Sequence, residues 1–168
     1  MIFETERLII REMTLKDASF LLKLVNDPTW IQFIGDKNVH TIKDAEKYIQ
    51  EKMIDSYKKN GFGFYAVVNK NMNTSIGITG LIDREGLENI EVGFAFLNEF
   101  AGKGYAYEST KAILNYAATT LKISRIVAIT DLDNIKSAKL LERLGLRFDK
   151  NIQLPEFEKE NKLFVPNN

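Results

Sequence analysis

The spacing of hydrophobic positions changes from a strand pattern to a helical one within the first third of the chain. Residues 7–12 place a short apolar run between charged side chains and predict a first strand. Thr14 and Thr41 each stand three residues before an aspartate, as in a helix capping box, and apolar residues at helical spacing follow both. We therefore predict two helices that begin at these threonines and end at Pro28 and Gly61.

The middle of the chain has a different period. Three runs rich in β-branched and aromatic residues, at 62–69, 75–83 and 89–97, are separated by short polar turns and predict an antiparallel meander. A helical pattern over 106–121 and a short apolar run at 125–130 follow. Because a helix that connects two strands of one sheet usually makes them parallel, we expect the strands at 89–97 and 125–130 to run in the same direction.

The last part of the chain predicts one more helix and two closing strands. Asn134 opens a compact helical pattern that ends at Gly145. The runs 146–152 and 161–166 have the composition of strands. We therefore predict one α+β domain over residues 1–168, built on a mixed and mostly antiparallel sheet of about seven strands.

Composition excludes several classes of protein. The 168 residues suffice for one domain, and 23 Lys and Arg balance 23 Asp and Glu, so neither nucleic acid nor a membrane is predicted as a partner. Cysteine is absent, which removes disulfides, and His40 alone cannot form a multi-histidine site, so no metal is expected. The sequence has neither a signal-peptide pattern nor an apolar stretch of about 18 residues, so we expect a cytoplasmic protein.

The stretch "AGKGYA", residues 101–106, lies where a predicted strand ends and a helix begins. Free N–H groups at a helix start bind phosphate well, and glycine lets the backbone approach the anion closely. A Walker loop is excluded by the spacing, and a dinucleotide fingerprint is disfavoured because Tyr107 stands where a third glycine or alanine is needed. Taken alone, the stretch is either a plain turn or a phosphate site.

The strand at 89–97 has two unlike faces. One face carries Glu91 beside the small residues Gly93 and Ala95. The other face is bulky and is expected to pack on helices; it carries Ile90, Val92, Phe94 and Phe96. The small residues predict a hollow in which burial would raise the pKa of Glu91 and make it a usable base. The alternative is a solvated sheet face with an exposed glutamate.

The predicted helix after residue 134 also carries candidate chemistry. Asn134 and Ser137 lie at its start, where the simpler interpretation is a helix cap and a surface serine. Its leucines at 140, 141 and 144 are expected in the core.

These three stretches together resemble the GNAT N-acetyltransferases. The superfamily signature Gln/Arg-x-x-Gly-x-Gly/Ala is matched at Gly104 and Ala106, and the chain departs from it at Ala101, where Gln or Arg is usual. Residues 5–35, "EVGFAF", "GKGYAYES" and "N-x-x-S-x-x-L-L-x-x-L-G" look most like the ribosomal-protein N-terminal (alanine/serine) acetyltransferase branch. The resemblance extends from residue 2 to about residue 150.

The resemblance implies a fold and a cofactor. It implies helices on both faces of the sheet and a gap between the parallel strands at 89–97 and 125–130 that admits acetyl-CoA. The pantetheine arm would lie along the first of these strands, and the pyrophosphate would bind backbone N–H groups of the glycine stretch. Asn134 would contact the cofactor from the opposite side of the gap. The implied cofactor residues are Phe94, Ala95, Phe96, Ala101, Gly102, Lys103, Gly104, Tyr105, Ala106 and Asn134.

The implied reaction is direct attack of a primary amine on the thioester carbonyl. Glu91 would accept the amine proton through water, and Ser137 would protonate the departing thiolate, because relatives often carry a tyrosine where Leu141 stands here. The acceptor would be a protein N-terminus or a small-molecule amine, and the loop over 28–40, which carries Trp30, would wall its pocket. The protein is expected to be a monomer or homodimer. A catalytically idle acyl-CoA-binding or sensory module and a nucleotide-binding protein are the alternatives.

Overall fold

A mixed sheet of eight strands runs through residues 2–167, the part of the chain that the computed structural model describes. The spatial order is β1-β2-β3-β4-β5-β6-β8-β7, and neighbours are antiparallel except for β5 and β6. The predicted α+β class is confirmed, and the strand beyond the expected seven is the two-residue β1. The strands are β1 Phe3–Glu4, β2 Leu8–Glu12, β3 Phe64–Asn69, β4 Thr74–Ile82, β5 Ile90–Phe96, β6 Ile126–Asp131, β7 Leu146–Ile152 and β8 Asn161–Pro166.

Helices cover both faces of this sheet, as expected. The first four pack on one face around a core that includes Leu21, Ile49 and Ile78. The last two pack on the other face, where Ile113 and Leu141 are buried. Their bounds are α1 Ala18–Val25, α2 Pro28–Phe33, α3 Ile42–Ile49, α4 Asp55–Asn60, α5 Tyr105–Thr119 and α6 Ile135–Arg143. Within residues 2–167, no helix is long and apolar enough to cross a membrane.

Both predicted capping boxes form. The Thr14 and Thr41 hydroxyls accept backbone N–H groups, and the aspartates three residues later accept the threonine N–H groups in return. The helix predicted to reach Gly61 is interrupted by a π-helical turn over Gln50–Ile54 before α4 resumes. A single wider turn leaves the apolar periodicity on either side nearly intact, so the spacing of hydrophobic residues did not indicate it.

The prediction that residues 28–40 form a loop is wrong for the first half of this range, which forms the short helix α2. Pro28 ends α1 but also occupies the first turn of α2, where its fixed φ and missing N–H are well tolerated. The Asp27 carboxylate accepts the Thr29 N–H at 3.0 Å and caps the new helix. Trp30 on this helix is buried in the core. The loop is therefore limited to the residues after α2.

The parallel strands part soon after they meet. β5 and β6 pair only at Ile90 with Ile126 and Glu91 with Val127. Beyond these pairs β6 stays joined to β8, from Ala128 onward, while β5 stays joined to β4. The expected gap between the two parallel strands is therefore present.

Candidate active site

A cleft of about 1770 Å³ opens where β5 and β6 part. Its volume exceeds the roughly 300–1,000 Å³ of an ordinary ligand pocket, so it has room for two substrates. Its walls come from β5, β6, the glycine stretch, the start of α6, and the helices α2 to α4. The structure thus brings all three stretches singled out in the sequence to one cleft. Of the predicted site residues all but Lys103 line it.

The edge of β5 offers backbone groups to this cleft. The Leu97 N–H donates to the Ile76 carbonyl of β4 at 3.0 Å. Because hydrogen-bonding direction alternates along an antiparallel strand, Ala95 also pairs toward β4, whereas the N–H and C=O groups of Phe94 and Phe96 point the other way. An extended ligand beside β5 would therefore pair with Phe94 and Phe96, and not with the backbone of Ala95.

The glycine stretch has the backbone conformation that glycine favours. Gly102 and Gly104 have φ values of +74° and +82°, and Gly104 is the cap residue of α5. A Cβ built on Gly102 would meet no atom within 4 Å, so the backbone angle and not crowding requires glycine there. Gly104, Tyr105 and Ala106 line the cleft, and no side chain caps the start of α5, so its N–H groups can bind an anion.

Glu91 lies in the hollow side of β5, but it is not free. Its side chain is only 4% exposed, and its two carboxylate oxygens accept from Arg84 at 2.5 Å (Nε) and 3.4 Å (Nη2). The alternative of a solvated sheet face is therefore wrong. Burial raises the pKa of Glu91, and the Arg84 charge opposes that rise. The hollow itself is partly filled, because a Cβ on Gly93 would lie 3.0 Å from the Phe64 ring.

Sequence reasoning missed the groups that surround Glu91. Arg84 also donates to Glu156 at 2.8 Å, and the Lys37 ammonium lies 3.7 Å from the other oxygen of Glu156. These residues come from three different loops, and about half of the Glu156 side chain is exposed. Burial, with a contribution from Glu156, raises the pKa of neighbouring Tyr48 to about 12. We call Arg84, Glu91 and Glu156 the carboxylate cluster.

At the start of α6, Asn134 caps the helix and also lines the cleft together with Ser137. The Asn134 side-chain oxygen accepts the Ser137 N–H at 3.1 Å, so Asn134 is a helix cap, as the simpler interpretation holds. Ser137 is half-buried and lines the cleft. Leu141 is fully buried, whereas its neighbours Leu140 and Leu144, also expected in the core, are only half-buried.

A threonine on β6 adds a polar group that the sequence did not single out. Thr130 is 5% exposed, and its hydroxyl has no hydrogen-bond partner within residues 2–167. Buried polar groups of this kind usually find a water or ligand partner, and Thr130 lines the cleft.

No group of three or more His, Cys, Asp or Glu side chains within residues 2–167 is placed to hold a metal ion.

A mixed sheet whose two parallel strands part beside a glycine turn is the arrangement of an acyl-CoA-dependent transferase fold. Residues 7–147 match the family model described as Acetyltransferase (GNAT) domain. The chain therefore belongs to the GNAT family and is an N-acetyltransferase. This assignment overturns the alternative of a nucleotide-binding protein that uses the glycine turn for another phosphate.

A relative agrees with this assignment, and solved structures share the fold. An uncharacterized N-acetyltransferase, p20 of Bacillus licheniformis, is 31% identical over 158 residues, which is 92% of this chain and 86% of the relative. The ribosomal L7/L12 alpha-N-protein acetyltransferase RimL, solved with coenzyme A, has a TM-score of 0.82 at 18% identity, with 99% and 98% of the two chains covered. A spermidine N-acetyltransferase SpeG chimera from Vibrio cholerae and hSSAT has a TM-score of 0.77 at 17% identity, with 96% and 95% of the two chains covered.

Proposed function

We propose that this protein transfers the acetyl group of acetyl-CoA to a primary amine by direct attack of the amine on the thioester carbonyl. The observation that carries the proposal is the parting of β5 and β6 beside a glycine turn with open N–H groups. A ligand with an extended amide-containing arm and a diphosphate would complement both features. Acetyl-CoA has this combination, and the solved relative RimL holds coenzyme A.

On the donor side, the pantetheine arm would pair with the free backbone groups of Phe94 and Phe96. The diphosphate would lie on the N–H groups between Gly102 and Ala106, where the positive end of the α5 dipole favours an anion. Asn134 would approach the cofactor from the opposite lip of the cleft, and Ala101, Lys103 and Tyr105 would contribute through the backbone of the turn.

On the acceptor side, an amine is largely protonated at neutral pH and must lose a proton to attack. Glu91 would take this proton through a water molecule, the amine nitrogen would bond to the acetyl carbon, and the carbon–sulfur bond would break. The thiolate would receive a proton from Ser137, and Ser137 would regain one from the second N–H proton of the attached nitrogen through water. The products are then an amide, the free thiol of CoA and a protonated Glu91, which returns its proton to water. The raised pKa of Glu91 supports its role as the base, since a base works best when its pKa lies close to the operating pH.

The acceptor class rests on the solved neighbours. They are named for a ribosomal protein and for spermidine, which both offer primary amines. In this chain Arg84 and Lys37 balance the carboxylates of Glu91 and Glu156, so the charges near Glu91 do not select between these two kinds of amine. A protein N-terminus or a small-molecule amine is therefore the acceptor that we propose.

An acetyl-CoA consumption screen against amines and N-terminal peptides tests this proposal. It is paired with thermal stabilisation of the protein by CoA, ATP and NAD. We expect CoA to stabilise most, because neither nucleotide has an arm that pairs with β5. Failure of CoA to bind would contradict the proposal. Binding of acetyl-CoA without transfer to any amine would instead favour the idle module.

A further inference from the structure

A turn near the start of the chain lies against the glycine stretch, although about a hundred residues separate them. The Arg7 guanidinium donates from Nη1 to the Lys103 carbonyl at 3.0 Å and from Nε to the Glu108 carboxylate at 3.1 Å. Its carbon Cζ also lies 4.4 Å from the centre of the Tyr105 ring. Arg7 therefore contacts the residues on both sides of Gly104.

We propose that Arg7 is a positioning residue for the cofactor site, which orients the peptide between Lys103 and Gly104 so that the Gly104 N–H faces the cleft. The inference rests on the proposed function, since it assumes that these N–H groups bind the diphosphate of CoA. Arg7 itself does not contact the cofactor in this account.

Peptide geometry links the observed contact to the orientation. The C=O and N–H of one trans peptide unit lie in a plane and point in opposite directions. Arg7 holds the Lys103 carbonyl, so the N–H of Gly104 in the same peptide unit must point away from Arg7. This agrees with the lining of the cleft, which includes Gly104 but not Lys103.

The arginine is itself held in place. The Glu108 carboxylate accepts from Arg7 at one oxygen and from the Thr5 hydroxyl, at 3.0 Å, at the other. The Tyr105 hydroxyl on the far side accepts from the Asn69 amide at 3.1 Å. Glu108 also compensates the Arg7 charge, so we expect Arg7 to act through the peptide it holds and not as a free cation beside the phosphate.

Lysine is expected to replace this arginine poorly. The guanidinium donates in two directions from a planar fork and lies over an aromatic ring, whereas an ammonium is a compact charge on a flexible stem.

A comparison of two acetyl donors tests the role of Arg7. Acetyl-CoA carries the diphosphate, whereas acetyl-pantetheine lacks it but keeps the arm that would lie along β5. In Arg7→Met we expect the KM for acetyl-CoA to rise about tenfold, the effect of losing one hydrogen bond, with kcat unchanged. Activity with acetyl-pantetheine should equal that of the unmodified protein. Arg7→Lys should recover only part of the loss.

Controls separate positioning from a general effect on folding. Arg147→Met replaces an exposed arginine on β7, at the opposite end of the sheet, and should leave both donors unaffected. An equal loss with both donors in Arg7→Met, or an unchanged KM for acetyl-CoA, would overturn the proposal. Glu108→Gln provides a second variant if Arg7→Met does not fold, with an expected donor-specific rise of about threefold.

The failure of the proposed function is distinguishable from the failure of this inference. Calorimetric binding of CoA to the unmodified protein tests the former without any acceptor. If CoA binds normally and Arg7→Met and Arg7→Lys bind it equally well, the role of Arg7 is wrong and the proposed function stands. If CoA does not bind the unmodified protein, both are wrong.

Discussion

The two halves of the cleft are built from different parts of the chain. The half that we propose for the cofactor, called the cofactor half, consists mainly of backbone groups from the edge of β5 and from the glycine turn before α5. The half that we propose for the amine, called the acceptor half, depends on side chains, since the carboxylate cluster joins β5 to two loops through Arg84, Glu91 and Glu156. A site made of backbone tolerates side-chain changes such as Ala101 for the usual Gln or Arg. A site made of paired charges depends on its buried members, here Arg84 and Glu91.

This difference leads us to expect different responses to mutation. Removing Arg84 leaves the buried Glu91 carboxylate without its counter-charge, which lowers stability, and removing Glu91 takes away the proposed base. On the cofactor half a substitution acts only where it changes the backbone conformation or fills the space of the ligand. The predictions below follow this contrast from the largest expected effect to the smallest.

The largest effect is expected from Arg84→Met. It leaves the Glu91 carboxylate buried without its partner, and we expect the free energy of unfolding near neutral pH to fall by about 3 kcal/mol. Without the opposing charge the pKa of Glu91 rises further. A carboxyl group whose pKa is higher in the folded state destabilises that state as pH rises from the unfolded-state value toward the folded-state value. The loss should therefore grow in urea unfolding as the pH rises above about 5, the region where an unfolded glutamate has lost its proton.

A double variant isolates the cause of this loss. Adding Glu91→Gln to Arg84→Met removes the buried charge and should remove most of the pH dependence. A loss that does not vary with pH, or that persists unchanged in the double variant, would contradict the assignment to Glu91.

The second prediction concerns catalysis. Glu91→Gln should lower kcat about 100-fold or more, because the base is lost, while calorimetric CoA affinity stays the same. Glu156→Gln is the matched control, since Glu156 contacts the same arginine but is half exposed. It should lower kcat less than tenfold. The reverse order of the two variants would assign the base to Glu156.

The third prediction concerns the glycine turn. Gly102→Ala should lower CoA affinity about tenfold, because it disturbs the N–H groups that we propose as the diphosphate site. It should also cost about 1–2 kcal/mol of stability from the positive φ. Gly61→Ala is the control, because Gly61 has a φ of +79° and Gly102 one of +74°. An added Cβ meets no atom within 4 Å at either position. Equal CoA affinity in the two variants would contradict the account.

The sequence predicted those features whose signals are local. Thr14 and Thr41 carry their capping partners three residues away, and the glycine turn lies between a strand and a helix that are contiguous with it. The sequence does not predict the short helix α2, because Pro28 indicates the end of α1, although proline is also common in the first turn of a helix. Local patterns thus specified the cofactor half of the cleft.

The acceptor half depends on contacts that spacing does not reveal. Glu156 and Lys37 meet Arg84 through the arrangement of three loops, and Arg7 reaches Glu108 only once the sheet has formed. Among such contacts, the pair of Arg84 with Glu91 is the easiest to predict from the sequence, because Arg84 lies in the turn between two predicted strands, close to Glu91. A cation in the turn of a hairpin indicates a buried ion pair when the strand that follows carries an inward-facing glutamate.

The central claim is that the free edge of β5 binds the extended arm of the cofactor. Residue-resolved hydrogen exchange of the Phe94, Ala95 and Phe96 amides, with and without CoA, tests it most directly. Ala95 should be protected in both states by its pairing with β4, whereas Phe94 and Phe96 should exchange readily alone and become protected when CoA binds. Saturation with CoA without any change in the exchange of Phe94 and Phe96 would contradict the account.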